Sequence, residues 1–216
     1  MVKQLGDRLP SWTPEDIALV KGSNDFYGMN HYCANYIRAK TGEADPTDTA
    51  GNLELLLQNK AGEWIGPETQ SPWLRPSPIG FRKLLKWLSD RYGRPKIYVT
   101  ENGTSLKGEN DLPLEELLKD DFRVEYFEGY VHAMAEAYTF DDVNVRAYMA
   151  WSLMEYVPLL KRLEILANLC SNFEWAEGYE TRFGVTFVDY ENDQKRYPKA
   201  SAKAMSDIFA KYIQEA

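Results

Sequence analysis

The sequence predicts an α/β fold in which helices cover a parallel β-sheet. Short apolar and aromatic runs alternate with longer segments of helical periodicity, and Gly or Pro separates them. The resulting order of strand, long loop, helix, strand, helix and strand is the alternation of βαβ units, which build parallel sheets. At 216 residues the chain is long enough for a substantial core, and we expect residues 1–216 to form a single domain.

The first predicted helix is capped by Thr13. Pro14 takes the first helical position, Asp16 is placed to reach back to the cap, and Gly22 ends the helix. The next segment, 25–32, is apolar and aromatic enough to predict a strand buried on both faces, as strands of parallel sheets are.

Residues 39–78 carry many Gly, Pro, Asp and Thr residues with little periodicity. We therefore expect a long irregular excursion there, a kind of segment that often forms a lid or a binding loop. A helix is predicted over 79–92, ended by Gly93 and Pro95. Its predicted inner face consists of residues at helical spacing: Phe81, Leu84, Leu85, Leu88 and Tyr92.

A buried strand is predicted over 96–100, because Ile97 and Val99 are β-branched. The strand ends on Glu101, which an Asn-Gly turn follows. A carboxylate in that position has a stiff support and faces the open end of a parallel sheet, where such folds place their chemistry. This segment alone leaves an ordinary solvated loop glutamate as the alternative.

The second half of the chain continues the alternation. A helix is predicted over 115–137 and a strand over 145–152, and residues 183–190 resemble an exposed strand that precedes a final helix over 198–213. The inner face of the 115–137 helix is predicted to include Leu118, Phe122, Tyr126, Val131 and Met134.

Composition excludes several classes of partner. A net charge of −8 and a pI near 4.9 argue against nucleic acid or an anionic membrane, so we expect a neutral small-molecule ligand. There is no apolar run near the length of a membrane span, and the first residues are too polar for a signal peptide. Cys33 and Cys170 are too few for a disulfide framework, so a reducing cytoplasm is expected.

Short motifs that combine aromatic and polar groups suited to a sugar occur in order along the chain: Phe26–Tyr32, Thr100–Gly103, Trp151–Met154 and Asn172–Trp175. Together they resemble glycoside hydrolase family 1, the β-glucosidase family, and its fungal intracellular branch in particular, over about residues 5–212. The family folds as a (β/α)₈ TIM barrel. The resemblance therefore implies an incomplete barrel, the C-terminal part with strands six to eight.

The resemblance assigns catalytic roles to two residues. Glu101 matches the family's nucleophile, which attacks the anomeric carbon and forms a covalent glycosyl-enzyme that water later hydrolyses. Tyr32 matches the phenol that orients this nucleophile, and Asn30 matches an amide that reaches the sugar. On residue type alone, a core aromatic is the alternative for Tyr32.

The resemblance also implies a sugar pocket. Trp151 matches its stacking floor, Phe183 its wall, and Glu174 and Trp175 the pair that binds the outer hydroxyls of the non-reducing glucose. Core or loop packing is expected for the remaining tryptophans, Trp12, Trp64, Trp73 and Trp87. Of these, Trp73 lies where the family builds its leaving-group subsite.

The family's second catalytic carboxylate, the general acid/base, comes from an Asn-Glu-Pro motif that this sequence lacks. A retaining glycosidase needs both carboxyl groups. We therefore expect a truncated β-glucosidase, directed at β-glucosides such as cellobiose but weak or inactive alone. A non-catalytic sugar-binding or partner-binding fragment is the alternative. The resemblance implies no metal and no cofactor.

Residues 155–171, the insert, interrupt the family's run Trp-Ser-Leu-Met-Asp-Asn-Phe-Glu-Trp. An amphipathic helix is one interpretation, because Leu159, Leu163, Leu166 and Cys170 share a helical face. We favour a retained intron. Codons that can encode the insert permit a splice donor near its start, a branch point near its end and an acceptor at its end. Splicing would restore the family's Asp codon, and the extra length keeps the reading frame.

Three strands of an eight-stranded barrel would have open edges. Inward faces would also be exposed, and we expect them to include Phe26, Tyr27, Ile97, Val99, Val145 and Tyr148. The expected consequence is an oligomer, a complementing chain that covers these surfaces, or a partly ordered state that aggregates.

Overall fold

The structure is a computed structural model that describes residues 5–43, 45, 47–48, 50–154, 174–178 and 180–212. Its helices and strands, in chain order, are α1 (Pro14–Val20), β1 (Tyr27–Asn30), β2 (Tyr36–Ala39), β3 (Leu53–Leu56), α2 (Pro78–Arg91), β4 (Ile97–Asn102), α3 (Leu114–Lys119), α4 (Asp121–Phe140), β5 (Val145–Ala150), β6 (Thr186–Asp189), β7 (Lys195–Pro198) and α5 (Ala200–Tyr212). Short 3₁₀ turns lie at Gly6–Arg8, Glu109–Asp111 and Trp175–Glu177. Within these ranges no helix has the length and apolar character needed to cross a membrane.

The strands β1, β4 and β5 form a parallel sheet in that spatial order. The predicted parallel alternation of strands and helices is confirmed. β4 is the central strand, so its carboxyl end is flanked on both sides. Asn30 lies opposite Glu101 in the register with β1, and Ala150 lies opposite Asn102 in the register with β5.

The core lies between this sheet and the helices α2, α4 and α5. Its buried side chains include Phe81, Leu85, Ile97, Val99, Phe127, Val131, Met205 and Ile208. The expectation that Ile97 and Val99 are exposed on an inward face is wrong, because both are fully buried in the core. Alternate residues of a strand point to opposite faces, and these two point toward the helices.

The strand predicted over 25–32 is shorter and less buried than expected. β1 spans Tyr27–Asn30, and Met29 is its one buried residue. The side chains of Phe26 and Tyr27 are 49% and 38% exposed. The reason is that β1 lies at the edge of the three-stranded sheet and pairs only with β4 among the described strands.

The expected irregular excursion over 39–78 contains regular structure. β2 and β3 form an antiparallel hairpin in which Arg38 lies opposite Glu54, and the Arg38 guanidinium donates a 2.9 Å hydrogen bond to that carboxylate. Cross-strand pairing of this kind depends on a distant partner, so the local Gly and Pro content concealed it.

The helix predicted over 79–92 is confirmed as α2, with Ser77 as its N-cap. Tyr92 is exposed, however, because it is the C-cap residue beyond the last turn. The helix predicted over 115–137 is two helices, α3 and α4. They meet at Asp120, which has a left-handed backbone (φ 45°) and whose carbonyl accepts the first hydrogen bonds of α4.

The segment 183–190 was expected to be exposed, and this expectation is wrong. Phe183, Val185 and Val188 are buried, because the backbone of Ser152 hydrogen-bonds to both Phe183 and Val185 and holds the segment against the end of β5. The final helix begins at Ala200, since Pro198 belongs to β7. The insert and the neighbouring residues Asn172 and Phe173 lie outside the described residues.

Candidate active site

Glu101 lies at the carboxyl end of the central strand β4. The backbone N–H of His31 donates to the Glu101 carbonyl at 2.9 Å, and the N–H of Trp151 donates to the Asn102 carbonyl at 2.8 Å. The carboxyl ends of parallel strands share one edge of a sheet, which is why residues from all three strands converge here. The predicted position of Glu101 at a supported strand end is confirmed.

Tyr32 contacts the Glu101 carboxylate directly. Its phenol donates a 2.6 Å hydrogen bond to Glu101 Oε2. Burial, together with the nearby Glu101 carboxylate, raises the pKa of the Tyr32 phenol well above its usual range, so the phenol remains a donor at ordinary pH. The Tyr32 carbonyl accepts a 3.1 Å hydrogen bond from Tyr130, which fixes the backbone that carries the phenol.

The Asn102 side chain, next to Glu101 in sequence, is fully buried and hydrogen-bonded. Its Nδ2 donates to the His31 carbonyl at 2.6 Å and to the Tyr126 hydroxyl at 2.8 Å, while its Oδ1 accepts from the Tyr148 hydroxyl at 2.5 Å. The amide therefore joins β4 to the end of β1, to β5 and to α4. The sequence predicts only a turn at Asn102, although its position directly after Glu101 is a signal that it could serve the site.

Gly103 allows the chain of Trp151 to approach closely. A Cβ atom at position 103 would lie 1.8 Å from the Trp151 carbonyl oxygen, a distance that no side chain can occupy. The Trp151–Ser152 peptide bond is cis. The glycine of the Thr-Glu-Asn-Gly motif is therefore required by the close approach of the Trp151 backbone, which directly follows β5.

Trp151 pairs with Glu174 across the insert. The indole N–H donates a 3.0 Å hydrogen bond to Glu174 Oε1. Burial raises the pKa of the Glu174 carboxyl, the Trp151 hydrogen bond opposes that rise, and the charges of Glu177 and Glu101 add to it. The carboxyl groups of Glu174 and Glu101 are thus close enough to interact electrostatically.

A second pair of the same kind joins Trp73 to Glu177. The Trp73 indole N–H donates a 2.6 Å hydrogen bond to Glu177 Oε1, and Ser71 Oγ donates a 2.6 Å bond to Glu177 Oε2. Trp73 also lies edge-on to Tyr32, with 6.0 Å between ring centroids. No local sequence signal indicates a role for Glu177, because its partners are more than a hundred residues away.

The remaining predicted site residues occupy different environments. Phe183 is buried and lies edge-on to Tyr32, with 6.1 Å between ring centroids. Asn30 is exposed, and its Oδ1 accepts a 2.6 Å hydrogen bond from the Thr100 hydroxyl. The Trp175 side chain is 86% exposed and stands in solvent. The structure therefore brings Tyr32, Phe183 and Glu101 together.

The tryptophans outside this region are surface residues. The Trp12, Trp64 and Trp87 side chains are exposed, so core packing does not apply to them. Loop packing is observed for Trp64, where the Arg75 guanidinium lies 3.7 Å from the ring centroid. In the part of the chain that the structure describes, no three His, Cys, Asp and Glu side chains are grouped to bind a metal ion.

A buried ion network supports the loop that follows Gly103. Arg123 donates to the Thr104 carbonyl at 3.0 Å, to Glu109 Oε1 at 2.9 Å and to Asp120 Oδ1 at 2.6 Å. Lys199 contributes a second cation and pairs with Glu109. Burial lowers the pKa of Lys199 to about 8, and the adjacent Arg123 charge adds to the effect. No local sequence pattern indicates this network, because Lys199 lies 90 positions from Glu109.

Comparison with known proteins identifies the family. The model of glycosyl hydrolase family 1 matches residues 1–212. Beta-glucosidase 1B of Phanerodontia chrysosporium is 47% identical over 215 residues, which are 100% of this chain and 36% of that protein. The crystal structure of a family 1 β-glucosidase from Humicola insolens in complex with glucose is 64% identical, with a TM-score of 0.87 over 100% of this chain and 42% of that one. The β-glucosidase from Trichoderma harzianum is 59% identical with a TM-score of 0.87, over 100% and 42% of the two chains.

The chain thus spans just over a third of the length of the curated relative and about two fifths of the solved structures. Its parallel sheet and covering helices are a fragment of a (β/α)₈ barrel. Because the family model covers almost the whole sequence, the chain belongs to glycosyl hydrolase family 1.

Proposed function

We propose that this chain carries the nucleophile and part of the sugar pocket of a retaining β-glucosidase, with Glu101 as the nucleophile. The observation that carries the proposal is the 2.6 Å hydrogen bond from Tyr32 to Glu101 Oε2 at the carboxyl end of β4. This bond restrains Glu101 Oε2 and leaves Oε1 available for attack. Similarity to fungal β-glucosidases supports a terminal β-glucosyl residue as the substrate.

The reaction follows from the chemistry of a carboxylate nucleophile. Glu101 attacks the anomeric carbon, the bond from that carbon to the glycosidic oxygen breaks, and the electron pair leaves with the aglycone. Water then attacks the anomeric carbon of the glycosyl-enzyme, and the bond from that carbon to Glu101 breaks and returns its electron pair to the carboxylate. Water loses its proton to the solvent, which protonates the released aglycone oxygen, and glucose leaves with retained configuration. Tyr32 remains a neutral donor to Glu101 throughout, because its raised pKa prevents ionisation.

The glucosyl ring would lie against Trp151 and Glu174. The indole offers a flat apolar face for the sugar, and the Glu174 carboxylate can accept hydroxyl protons while it also accepts the Trp151 N–H. Asn30 supplies an amide to the sugar, Phe183 walls the pocket, and Trp175 binds the outer hydroxyls. Trp175 would have to turn inward from its exposed position on binding.

The three strands of the parallel sheet correspond, in our proposal, to the sixth, seventh and eighth strands of the barrel. Support comes from their chain order, from the helices between them and from Glu101 at the end of the middle strand. The general acid/base of the family is not provided by any Asn-Glu-Pro motif in these 216 residues. General acid catalysis contributes about 10²- to 10⁴-fold, so we expect very weak activity when the chain acts alone.

The test uses an aryl β-glucoside whose phenol is acidic and needs little protonation. The wild-type chain should release the phenol slowly, azide should accelerate turnover, and a 2-deoxy-2-fluoro-glucoside should leave a covalent adduct on Glu101 that mass spectrometry can locate. Glu101→Gln should abolish all three signals. Glu180→Gln, a change at an exposed carboxylate, is the control.

Each outcome has a distinct meaning. Activity retained in Glu101→Gln would overturn the assignment of the nucleophile. Cellobiose turnover at ordinary enzyme rates would contradict the proposed weakness of the isolated chain. Glucose binding without any adduct or phenol release would favour the non-catalytic sugar-binding fragment instead.

A further inference from the structure

The short segment from Glu174 to Gly178 holds two tryptophans that come from different parts of the chain. Glu174 accepts a 3.0 Å hydrogen bond from Trp151, and Glu177 accepts a 2.6 Å hydrogen bond from Trp73. The backbone of the segment is closed on itself, since the Glu174 N–H donates to the Gly178 carbonyl at 2.9 Å. One small loop therefore determines the orientation of two indoles.

Trp73 needs such support, because it lies in the loop between β3 and α2 and not on a strand or helix. Its side chain is 49% exposed, so packing restrains only about half of the ring surface. Burial fixes the next residue, Leu74, but the Trp73 indole itself projects outward. The hydrogen bond to Glu177 is the polar contact that selects one orientation of the exposed ring.

The selected orientation places the indole beside the proposed nucleophile. The Trp73 ring is edge-on to Tyr32 at 6.0 Å, and the Tyr32 phenol donates to Glu101. A retaining glycosidase must hold two groups at the nucleophile, the glucosyl ring and the leaving group. If Trp151 and Glu174 hold the glucosyl ring, the half-exposed indole of Trp73 offers a further flat apolar surface beside Tyr32, at the position that the resemblance to family 1 assigns to the leaving-group subsite.

We propose that Glu177 is a positioning residue that holds the Trp73 indole as the stacking surface for the leaving-group ring of a β-glucoside, either an aryl group or a second sugar. This inference rests on the function proposed above. Glu177 acts through Trp73 and does not itself touch the reacting atoms.

Ser71 extends the same restraint to the loop of the proposed nucleophile. Ser71 Oγ donates to Glu177 Oε2 at 2.6 Å and lies 3.3 Å from Ser105 Oγ, two residues after Gly103. Both carboxylate oxygens of Glu177 are thus engaged, one by an indole and one by a hydroxyl. A glutamine at 177 could still accept from Trp73 and donate to Ser71, whereas an alanine could do neither.

The first measurement tests the restraint on the full chain without substrate. Indole N–H signals are recorded by ¹⁵N-labelled NMR, and Trp73→Phe identifies the Trp73 signal. Hydrogen exchange at the Trp73 indole should become about three- to tenfold faster in Glu177→Ala, the range expected for loss of one hydrogen bond. Glu177→Gln should restore most of the protection, and Glu180→Ala should leave it unchanged. Unchanged exchange in Glu177→Ala would overturn the proposal.

The second measurement tests the ligand class. Binding of an aryl β-glucoside and of free glucose is measured by titration calorimetry on the wild type and on the Glu177 variants. Glu177→Ala should weaken binding of the aryl glucoside about three- to tenfold and leave glucose binding unchanged, with rescue by Glu177→Gln. Equal weakening of both ligands would show a general structural role and overturn the proposal.

The failure of this inference can be distinguished from failure of the proposed function. If the wild-type chain binds neither ligand, the proposed sugar pocket and the leaving-group role of Trp73 both fail. If the wild type binds both ligands and forms the Glu101 adduct, but Glu177→Ala behaves like the wild type, only the role of Glu177 fails.

Discussion

The Tyr32 hydroxyl and Glu101 Oε2 lie 2.6 Å apart although the two residues are separated by 69 positions in the sequence. Glu101 is the penultimate residue of β4, and Tyr32 lies two residues after the end of β1. The parallel pairing of β1 with β4 therefore brings the two residues together. A charge-assisted hydrogen bond of this length restrains both the position and the orientation of the carboxylate.

Removal of the Tyr32 hydroxyl should therefore impair catalysis more than folding. For Tyr32→Phe we expect kcat/KM on an activated aryl glucoside to fall about 10- to 100-fold, because a hydrogen bond to a charged group is worth about 1.5–3 kcal/mol. Tyr27→Phe, which alters an exposed phenol of β1, should have little effect. Equal activity of Tyr32→Phe and wild type would show that the bond does not serve the reaction.

A side chain at position 103 should destabilise the fold. In Gly103→Ala the new Cβ would meet the Trp151 carbonyl at 1.8 Å, so β4 and β5 would have to separate. We expect a loss of about 3 kcal/mol or more in the free energy of unfolding, measured by urea denaturation. Gly28→Ala is the matched control, since its Cβ would make only ordinary contacts of 3.6 Å and beyond. Similar stability of the two variants would contradict the packing argument.

His31 should make the protein less stable in mild acid. Burial lowers the pKa of His31 to about 4, against about 6.5 in an unfolded chain, and its Nδ1 is buried with no hydrogen-bond partner among the residues that the structure describes. Between these two values the unfolded state binds the proton and the native state does not, so stability falls as the pH falls. The expected loss is about 2 kcal/mol between pH 7 and pH 5.

Urea denaturation at the two pH values measures this effect on His31. His31→Gln should be less stable than the wild type at both pH values. The loss of stability between pH 7 and pH 5 should be much smaller in this variant than in the wild type. His132→Gln, at an exposed histidine, should retain the wild-type difference. A pH dependence that persists unchanged in His31→Gln would assign it to other groups.

Replacement of the insert tests the retained-intron hypothesis. If residues 155–171 are intron sequence, they separate Trp151 in sequence from Glu174 and Trp175, which the resemblance to the family places close together. Trp151 and Glu174 still pair at 3.0 Å, whereas the Trp175 side chain is 86% exposed, so the disturbance is expected at Trp175. In a full-length barrel, exchange of the insert for a single Asp should strengthen glucose binding relative to the same barrel that carries the insert. Titration calorimetry provides the comparison, and equal affinities would show that the insert does not disturb the pocket.

The exposed side chains on the sheet predict self-association. Phe26, Tyr27 and Met149 are large and exposed, and β1 and β5 are the outer strands of the described parallel sheet. Burial of one large apolar side chain is worth about 1.5–3 kcal/mol, so association that covers several of them is strongly favoured. We expect an oligomer, or an aggregating state that binds hydrophobic dyes, in light scattering coupled to size exclusion. A clean monomer with a cooperative thermal transition would contradict this expectation.

The sequence by itself determined the features that depend on neighbouring residues. The capping box of Thr13 and Asp16, the helix over 79–92 and the strand that carries Glu101 near its carboxyl end all follow from signals within a few positions. The parallel order of the sheet followed from the same local alternation. Motif resemblance added the family, which the comparisons confirm.

Only the tertiary structure decided which distant groups meet. The break at Asp120, the β2–β3 hairpin and the burial of Val185 each depend on a partner that local periodicity does not reveal. The same holds for the bond from Trp73 to Glu177, whose residues are 104 positions apart. The physical reason is that a hydrogen bond or ion pair forms between groups close in space, and strand pairing and helix packing determine which groups those are.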